Sequence, residues 1–264
     1  MKEKPKPHQR GRNLSGRRSA RNLKPRDTPS HFIYGTHAVR AAVENPNRTK
    51  TALLATPNAL SRLREHTDTG TLKIAQRSPG ELDRMVGAEA VHQGLVLEVM
   101  PLPRPQLGSL NSHRLIVILD QITDPHNVGA ILRTACAFGA DAVITTARHA
   151  PRETGVLAKS ASGALDLVPY IEVNNLGEAI KTLKKQAVWC IGLDSEADMA
   201  LSQPMGQKDI ALVLGAEGKG LRRKPRQLCD QILALDMPGP IKSLNVSNAA
   251  AVALFALSGP SEKT

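Results

Sequence analysis

Apolar residues between positions 31 and 100 occur in short runs that switch between the two-residue period of strands and the longer period of helices. This pattern predicts helices at 38–43 and 60–66, and a third helix from Pro79, a residue that suits a first helical turn. Strands are predicted at 51–56, 71–75 and 94–99. Such alternation over about 70 residues is typical of a small α/β domain.

From residue 114 onward the apolar runs are longer and more continuous. The segment Leu-Ile-Val-Ile-Leu-Asp at 115–120, a continuous apolar run that ends in an aspartate, is typical of a strand that is buried on both faces. Further strands are predicted at 142–146, 167–173, 188–193, 210–214 and 231–235, and helices at 129–138, 176–186 and 245–257. Strands that alternate with helices predict an α/β fold, with a parallel sheet covered on both faces.

Three prolines within 101–105 separate these two patterns. Because this composition is typical of linkers, we predict domains at 31–100 and 114–264, joined by a linker at 101–113. The net charge of +11 is concentrated at the start of the chain, where residues 1–27 contain ten Lys or Arg against Glu3 and Asp27. We predict a disordered basic tail at 1–30, which favours contact with nucleic-acid phosphates, although a solubilising role also fits its composition.

The composition excludes several classes of protein. No apolar run reaches the roughly 18 residues of a membrane span, and no apolar segment follows the basic N-terminus, so we expect a cytoplasmic protein without a membrane. The three cysteines are widely spaced, which argues against a disulfide framework and against a zinc site. The six aromatic residues are too few for a base-stacking platform, so RNA binding would depend on charge, shape and backbone amides.

The first candidate motif is Asp-Pro-His-Asn-Val-Gly-Ala-Ile-Leu-Arg-Thr-Ala at 124–135, directly after a predicted buried strand. Open α/β sheets bind ligands at the carboxyl ends of their strands. We predict that Asn127 lies in the turn, that the helix begins near Gly129 and that Arg133 follows about one turn later. A helix N-terminus beside an arginine favours a phosphate site, although Asn127 taken alone is better explained as a helix cap.

The second motif, Leu-Gly-Ala-Glu-Gly-Lys-Gly-Leu at 214–221, has three glycines in six residues, which let the backbone approach a ligand closely. It has the spacing of neither a P-loop nor a dinucleotide fingerprint, so the ligand stays open, and a tight turn is the alternative. The third motif, Met-Pro-Gly-Pro-Ile-Lys-Ser-Leu-Asn-Val-Ser-Asn-Ala-Ala-Ala, occupies 237–251. Here Ser243 is the predicted N-cap of the last helix, whose small residues predict close packing against backbone or a partner subunit.

In this order the three motifs resemble the SpoU (TrmH) family of the SPOUT methyltransferases over residues 114–258. The family patterns Asp-Pro-x-Asn-x-Gly-Ala-Ile-x-Arg-Thr-Ala, Gly-x-Glu-x-x-Gly and Met-x-Gly-x-x-x-Ser-Leu-Asn-Val-Ser match residues 124–135, 215–220 and 237–247. The segment 31–100 resembles the L30e-like substrate-binding domain of many members. Within the family, the resemblance is greatest to enzymes that methylate a guanosine 2′-hydroxyl of 23S ribosomal RNA.

The resemblance implies a deep trefoil knot in the C-terminal domain, a homodimer with a shared active site, and S-adenosylmethionine as methyl donor, without a metal. It implies that the donor is bound by Leu193, Gly215, Leu235 and Leu244. It implies that the catalytic residues are Asn127, Arg133, Glu217, Ser243 and Asn245. We expect Arg133 to bind the phosphate beside the target ribose and to stabilise the developing alkoxide.

Other functions stay open at this point. Transfer RNA is the second candidate substrate of a methyltransferase. A non-catalytic RNA-binding protein on the same fold is a further alternative. The glycine-rich motif alone would also fit a nucleotide-binding enzyme that acts on a small molecule.

Overall fold

The computed structural model describes residues 30–201 and 209–258, so the predicted tail lies outside the described residues apart from Ser30. In this part of the chain the strands are β1 (His31–Tyr34), β2 (Lys50–Ala55), β3 (Ile74–Gln76), β4 (Leu95–Val99), β5 (Leu115–Asp120), β6 (Ala142–Thr146), β7 (Tyr170–Val173), β8 (Trp189–Leu193), β9 (Ile210–Gly215) and β10 (Gln231–Leu233). The α-helices are α1 (Thr36–Glu44), α2 (Pro57–Arg64), α3 (Pro79–Val86), α4 (Pro125–Ala137), α5 (Gly155–Ala161), α6 (Ala164–Leu167), α7 (Leu176–Lys185), α8 (Arg223–Leu228) and α9 (Val246–Ser258), with a 3₁₀ helix at Leu107–Ser109.

The N-terminal half, residues 30–100, contains a four-stranded mixed sheet of order β1-β4-β2-β3. Strand β4 is antiparallel to β1 and β2, whereas β3 is parallel to β2. The fully buried Ile33, Leu53 and Leu97 belong to the same hydrophobic core as the apolar faces of α1 and α2. Strand β1 was not predicted, because its four residues are too short to show a strand period by themselves.

The C-terminal half, residues 114–258, contains a six-stranded sheet of order β10-β8-β9-β5-β6-β7. All five strand pairings are parallel, which confirms the predicted parallel sheet. Every residue of the central strand β5 is buried, as expected for a strand that has neighbours on both sides and cover on both faces. The carboxyl ends of β5, β8 and β9 therefore lie at the same edge of the sheet, next to the segments that carry the sequence motifs.

Several predicted boundaries were wrong. Helix α4 begins at Pro125 rather than at Gly129, because the Asp124 carboxylate accepts the His126 N–H and caps the helix earlier. The strand predicted at 167–173 begins only at Tyr170, since Ala164–Leu167 is helical. Helices α5, α6 and α8 were not predicted because they are too short to show a helical period.

The two halves share one hydrophobic core, and α5 lies in the seam between them. A Cβ added to Gly155 would lie 2.4 Å from Tyr34 Cε1, and one added to Gly129 would lie 2.5 Å from Ser160 Cβ. Glycine at these two positions thus lets α5 pack closely against β1 on one side and against α4 on the other. The position of α5 is fixed by both halves of the chain.

A buried ion cluster lies at the same seam. The Arg48 guanidinium donates from Nε and Nη2 to the two Asp166 carboxylate oxygens, both at 2.8 Å, and from Nη1 to the Glu153 carboxylate. The side chains of Arg48, Glu153 and Asp166 are only 0%, 2% and 2% exposed. Burial alone would raise the pKa of Glu153, but the His31 ring, whose Nε2 lies 3.4 Å from Glu153 Oε1, and the charge of Arg48 outweigh it and hold this pKa at about 2.

The predicted linker is tied to the seam, because the Leu102 N–H donates to Glu153 Oε2 at 3.1 Å. All three cysteines are free. Within the described ranges, no helix is long and apolar enough to span a membrane.

Candidate active site

A cleft of about 570 Å³ opens where the loops after β8, β9 and β10 converge. This position, at the carboxyl ends of parallel strands, is where open α/β sheets bind ligands. The cleft is lined by residues 193–196, 214–220, 235, 237, 243, 244, 246 and 249. All four residues predicted to bind a methyl donor are among them: Leu193, Gly215, Leu235 and Leu244.

The glycine-rich motif forms one wall of the cleft as a tight turn. The Gly220 N–H donates to the Ala216 carbonyl at 2.8 Å, and both Gly218 and Gly220 adopt a positive φ, +74° and +61°. A Cβ on Gly215 would lie 2.2 Å from the Gly220 carbonyl carbon, so a side chain there would displace the turn. These glycines are therefore required by the backbone, and the turn presents its peptide groups at the wall of the cleft.

Two ion pairs connect the segment after this turn to the ends of β5 and β8. Asp120, fully buried at the end of β5, accepts the Arg222 backbone N–H at 2.9 Å and its Nε at 2.7 Å. Asp194 on the cleft wall pairs with Arg226 of α8. None of these four residues was predicted from the sequence, where only the aspartate at the end of the apolar strand β5 could have indicated one of them.

Three of the predicted catalytic residues meet beside the cleft. The Asn245 Nδ2 donates to Asn127 Oδ1 at 3.1 Å and lies 3.4 Å from Glu217 Oε2. The Asn245 Oδ1 accepts the Ser247 N–H at 2.9 Å and so caps α9. The predicted capping role of Ser243 is therefore wrong, because α9 begins at Val246 and the cap lies one residue before it.

The other two predicted catalytic residues lie apart from this cluster. Ser243 is exposed on the rim of the cleft, and among the described residues its hydroxyl has no hydrogen-bond partner. Arg133 is exposed on α4, about two turns after the helix start at Pro125 rather than the one turn expected from a start at Gly129. It forms no hydrogen bond or ion pair with any described residue, so its guanidinium is available to an external anion.

The C-terminal half matches the family described as "SpoU rRNA Methylase family" over residues 114–255. The chain belongs to this family. A second family description, "RNA 2'-O ribose methyltransferase substrate binding", matches this SpoU methylase at residues 32–105. The resemblance drawn from the three motifs is thus confirmed.

Relatives of this SpoU methylase include two proteins named 23S rRNA (guanosine-2'-O-)-methyltransferase RlmB. The chain is 37% identical to RlmB of Pseudomonas putida over 234 residues, which cover 84% of this chain and 94% of that protein. It is 37% identical to RlmB of Salmonella typhi over 241 residues, which cover 86% and 97%.

Solved structures share the fold of this SpoU methylase. The SpoU methyltransferase AviRb from Streptomyces viridochromogenes aligns with a TM-score of 0.73 at 24% identity, over 87% of this chain and 88% of that chain. An AdoMet-bound rRNA methyltransferase from Sinorhizobium meliloti aligns with a TM-score of 0.70 at 18% identity, over 86% of each chain.

Proposed function

We propose that this SpoU methylase transfers the methyl group of S-adenosylmethionine to a ribose 2′-hydroxyl of RNA, and that the target is a guanosine of 23S ribosomal RNA. The main support for this function is that the Asn127–Asn245–Glu217 cluster lies beside a cleft that is large enough for the donor. The RlmB relatives carry out this reaction by name, and their extensive match supports the choice of substrate.

The residues of the cleft fit the donor. Leu193, Leu235 and Leu244 offer apolar walls for an adenine ring, and the peptide groups of 215–220 offer hydrogen bonds to its edge. The Glu196 carboxylate complements the positive charge of the donor. When bound, S-adenosylmethionine supplies an electrophilic methyl group on its sulfonium sulfur, and a cleft of about 570 Å³ is of the size that small cofactors occupy.

The acceptor side needs a ribose hydroxyl that is oriented and ready to lose its proton. Asn127 and Asn245 are already hydrogen bonded to each other, so their amides are fixed in orientation and can position the ribose. Glu217 holds the glycine turn near Asn245, and the Ser243 hydroxyl lies on the rim. The 2′-oxygen would form the new bond to the methyl carbon of the donor while the carbon–sulfur bond breaks and its electron pair stays on sulfur, and the hydroxyl proton would pass to solvent.

Arg133 acts through its charge. A guanidinium is a poor base, so we assign Arg133 to the phosphate beside the target and to the developing negative oxygen. Because Arg133 is exposed and has no partner among the described residues, no existing ion pair must break when RNA binds.

We propose a homodimer that forms through α9. This helix packs against α4, and Val252 and Phe255 on it are 47% and 68% exposed. Exposed apolar residues on a helix next to the active site favour a partner surface. A second copy on this face would lie beside the active site, which fits the shared site that the family resemblance implies.

The finer features of the fold are also proposals. After β10 the chain returns across the sheet, because residues 235, 237, 243 and 244 line the same cleft as the loops after β8 and β9, and α9 then packs on α4. This return supports the trefoil knot that the family implies. We propose an L30e-like fold for residues 31–100 and a cytoplasmic location, where ribosomal RNA is the substrate.

The proposal is tested by mapping 2′-O-methyl groups in ribosomal and transfer RNA from a strain that lacks the gene. We expect one guanosine of 23S rRNA to lose its methyl group, and a plasmid copy to restore it. A plasmid with Arg133→Ala should fail to restore it. Loss of a methyl group from transfer RNA alone would support the alternative substrate, and no loss in either RNA would support a non-catalytic RNA-binding protein.

A further inference from the structure

We infer that Lys159 and His126 bind the RNA backbone between the N-terminal half and the target nucleotide, so that the seam between the halves is part of the substrate path. This inference rests on the proposed RNA methylation. Neither Lys159 nor His126 is among the catalytic residues that the family resemblance implies. Their role is inferred from the position of α5, which packs between the two halves.

Helix α5 carries Lys159 and Ser160 to the N-terminal end of α4. The close approach at Gly129 puts Ser160 against α4, where the Ser160 Oγ lies 3.3 Å from His126 Nδ1. His126 directly precedes Asn127 in the first turn of α4. The Ser160 side chain of α5 thus contacts His126, the residue next to Asn127 of the cluster that we assign to the target ribose.

In the opposite direction, Lys159 continues this polar strip onto the N-terminal half. Its Nζ donates to Gln93 Oε1 at 2.8 Å, and the same oxygen accepts the Thr36 N–H at 3.1 Å. A Cβ on Gly35 would lie 2.9 Å from Lys159 Cδ, so glycine at this position leaves room for the lysine stem. The conformation of Lys159 is thus set by the N-terminal half, which matches the substrate-binding family.

The charge of Lys159 is not neutralised within the described part of the chain. No acidic side chain there pairs with it, although burial partly removes its ammonium from water and lowers its pKa. A partly desolvated cation held without an anion is costly unless an anion arrives from outside. RNA phosphates are such anions, and we infer that Lys159, Ser160 and His126 guide them toward Asn127, whereas Gln93 only orients Lys159.

The test compares the unchanged protein with Lys159→Gln, which keeps a long side chain and a donor for Gln93 but loses the charge. Steady-state methyl transfer to 23S rRNA and equilibrium filter binding of the same RNA are measured between 50 and 300 mM KCl, together with the Kd of S-adenosylmethionine. The matched control is Gln93→Ala, which removes the Lys159 partner but keeps the cation. His126→Ala is examined in the same way.

We expect Lys159→Gln to raise the KM for RNA roughly threefold to tenfold and to reduce the slope of log Kd against log salt by about one, with donor binding unchanged. Gln93→Ala should leave the salt slope unchanged, and Lys159→Arg should restore it. If Lys159→Gln and Gln93→Ala have equal effects with an unchanged salt slope, Lys159 only holds the seam and the inference is overturned. If the unchanged protein fails to methylate RNA, the proposed function is refuted. The filter-binding measurements would then still test whether Lys159 contacts RNA.

Discussion

Arg48 offers the sharpest test of how the two halves are held together. Replacing it with Met keeps most of the volume and leaves Glu153 and Asp166 as two buried carboxylates without a cation. Because all three side chains are almost fully buried, solvent does not screen the loss, and removing one partner of such a cluster costs about 3–5 kcal/mol of unfolding free energy. We therefore expect Arg48→Met to lose about that amount.

The assay is urea unfolding followed by far-ultraviolet circular dichroism at one fixed protein concentration, so that any dimer contributes equally. The matched control is Arg40→Met, which removes an ion pair to Glu44 whose side chains are 47% and 46% exposed. Exposed pairs of this kind are worth at most about 1 kcal/mol. If Arg48→Met costs no more than Arg40→Met, the cluster does not hold the seam. The triple variant with Glu153→Gln and Asp166→Asn should recover part of the loss, because it no longer buries unpaired charges.

Three further predictions concern the cleft, the last helix and acid stability. Gly215→Ala should weaken S-adenosylmethionine binding roughly tenfold by calorimetry, because its Cβ meets the Gly220 backbone, whereas Gly80→Ala, with open space around it, should not. Asn245→Ala should lower the unfolding free energy by about 1 kcal/mol through loss of the α9 cap, in contrast to the exposed Asn248→Ala on the same helix. The pKa of Glu153 is lowered from 4.5 to about 2, so its contribution to stability is present above about pH 4.5 and is lost toward pH 2. Urea midpoints of the unchanged protein and of Glu153→Gln are compared over this pH window, and an equal fall in both would contradict that assignment.

Much of the fold follows from local patterns in the sequence. The bounds of β5 and β6 agree with the predicted strands, because continuous apolar runs mark strands buried on both faces. Gly215 and Leu244 were predicted as site residues from the sequence motifs. They come from different loops, yet both line the same cleft in the structure.

What could not be predicted depends on partners far apart in the chain. Arg48 and Asp166 are 118 residues apart, and no local pattern indicates that the topology joins them. The same holds for Lys159 and Gln93, which meet only because two glycines allow α5 to pack closely at the seam. The capping residue of α9 was misassigned because Ser243 and Asn245 are both good caps, and only the hydrogen bonds distinguish them.

The methylation of a guanosine 2′-hydroxyl is measured with purified protein, methyl-labelled S-adenosylmethionine and isolated 23S rRNA. After digestion to nucleosides, mass spectrometry and the label identify the methylated product. We expect 2′-O-methylguanosine at a single site, absent with Arg133→Ala even though that variant still binds the donor. Label on a base rather than on ribose, or undiminished transfer by Arg133→Ala, would contradict it.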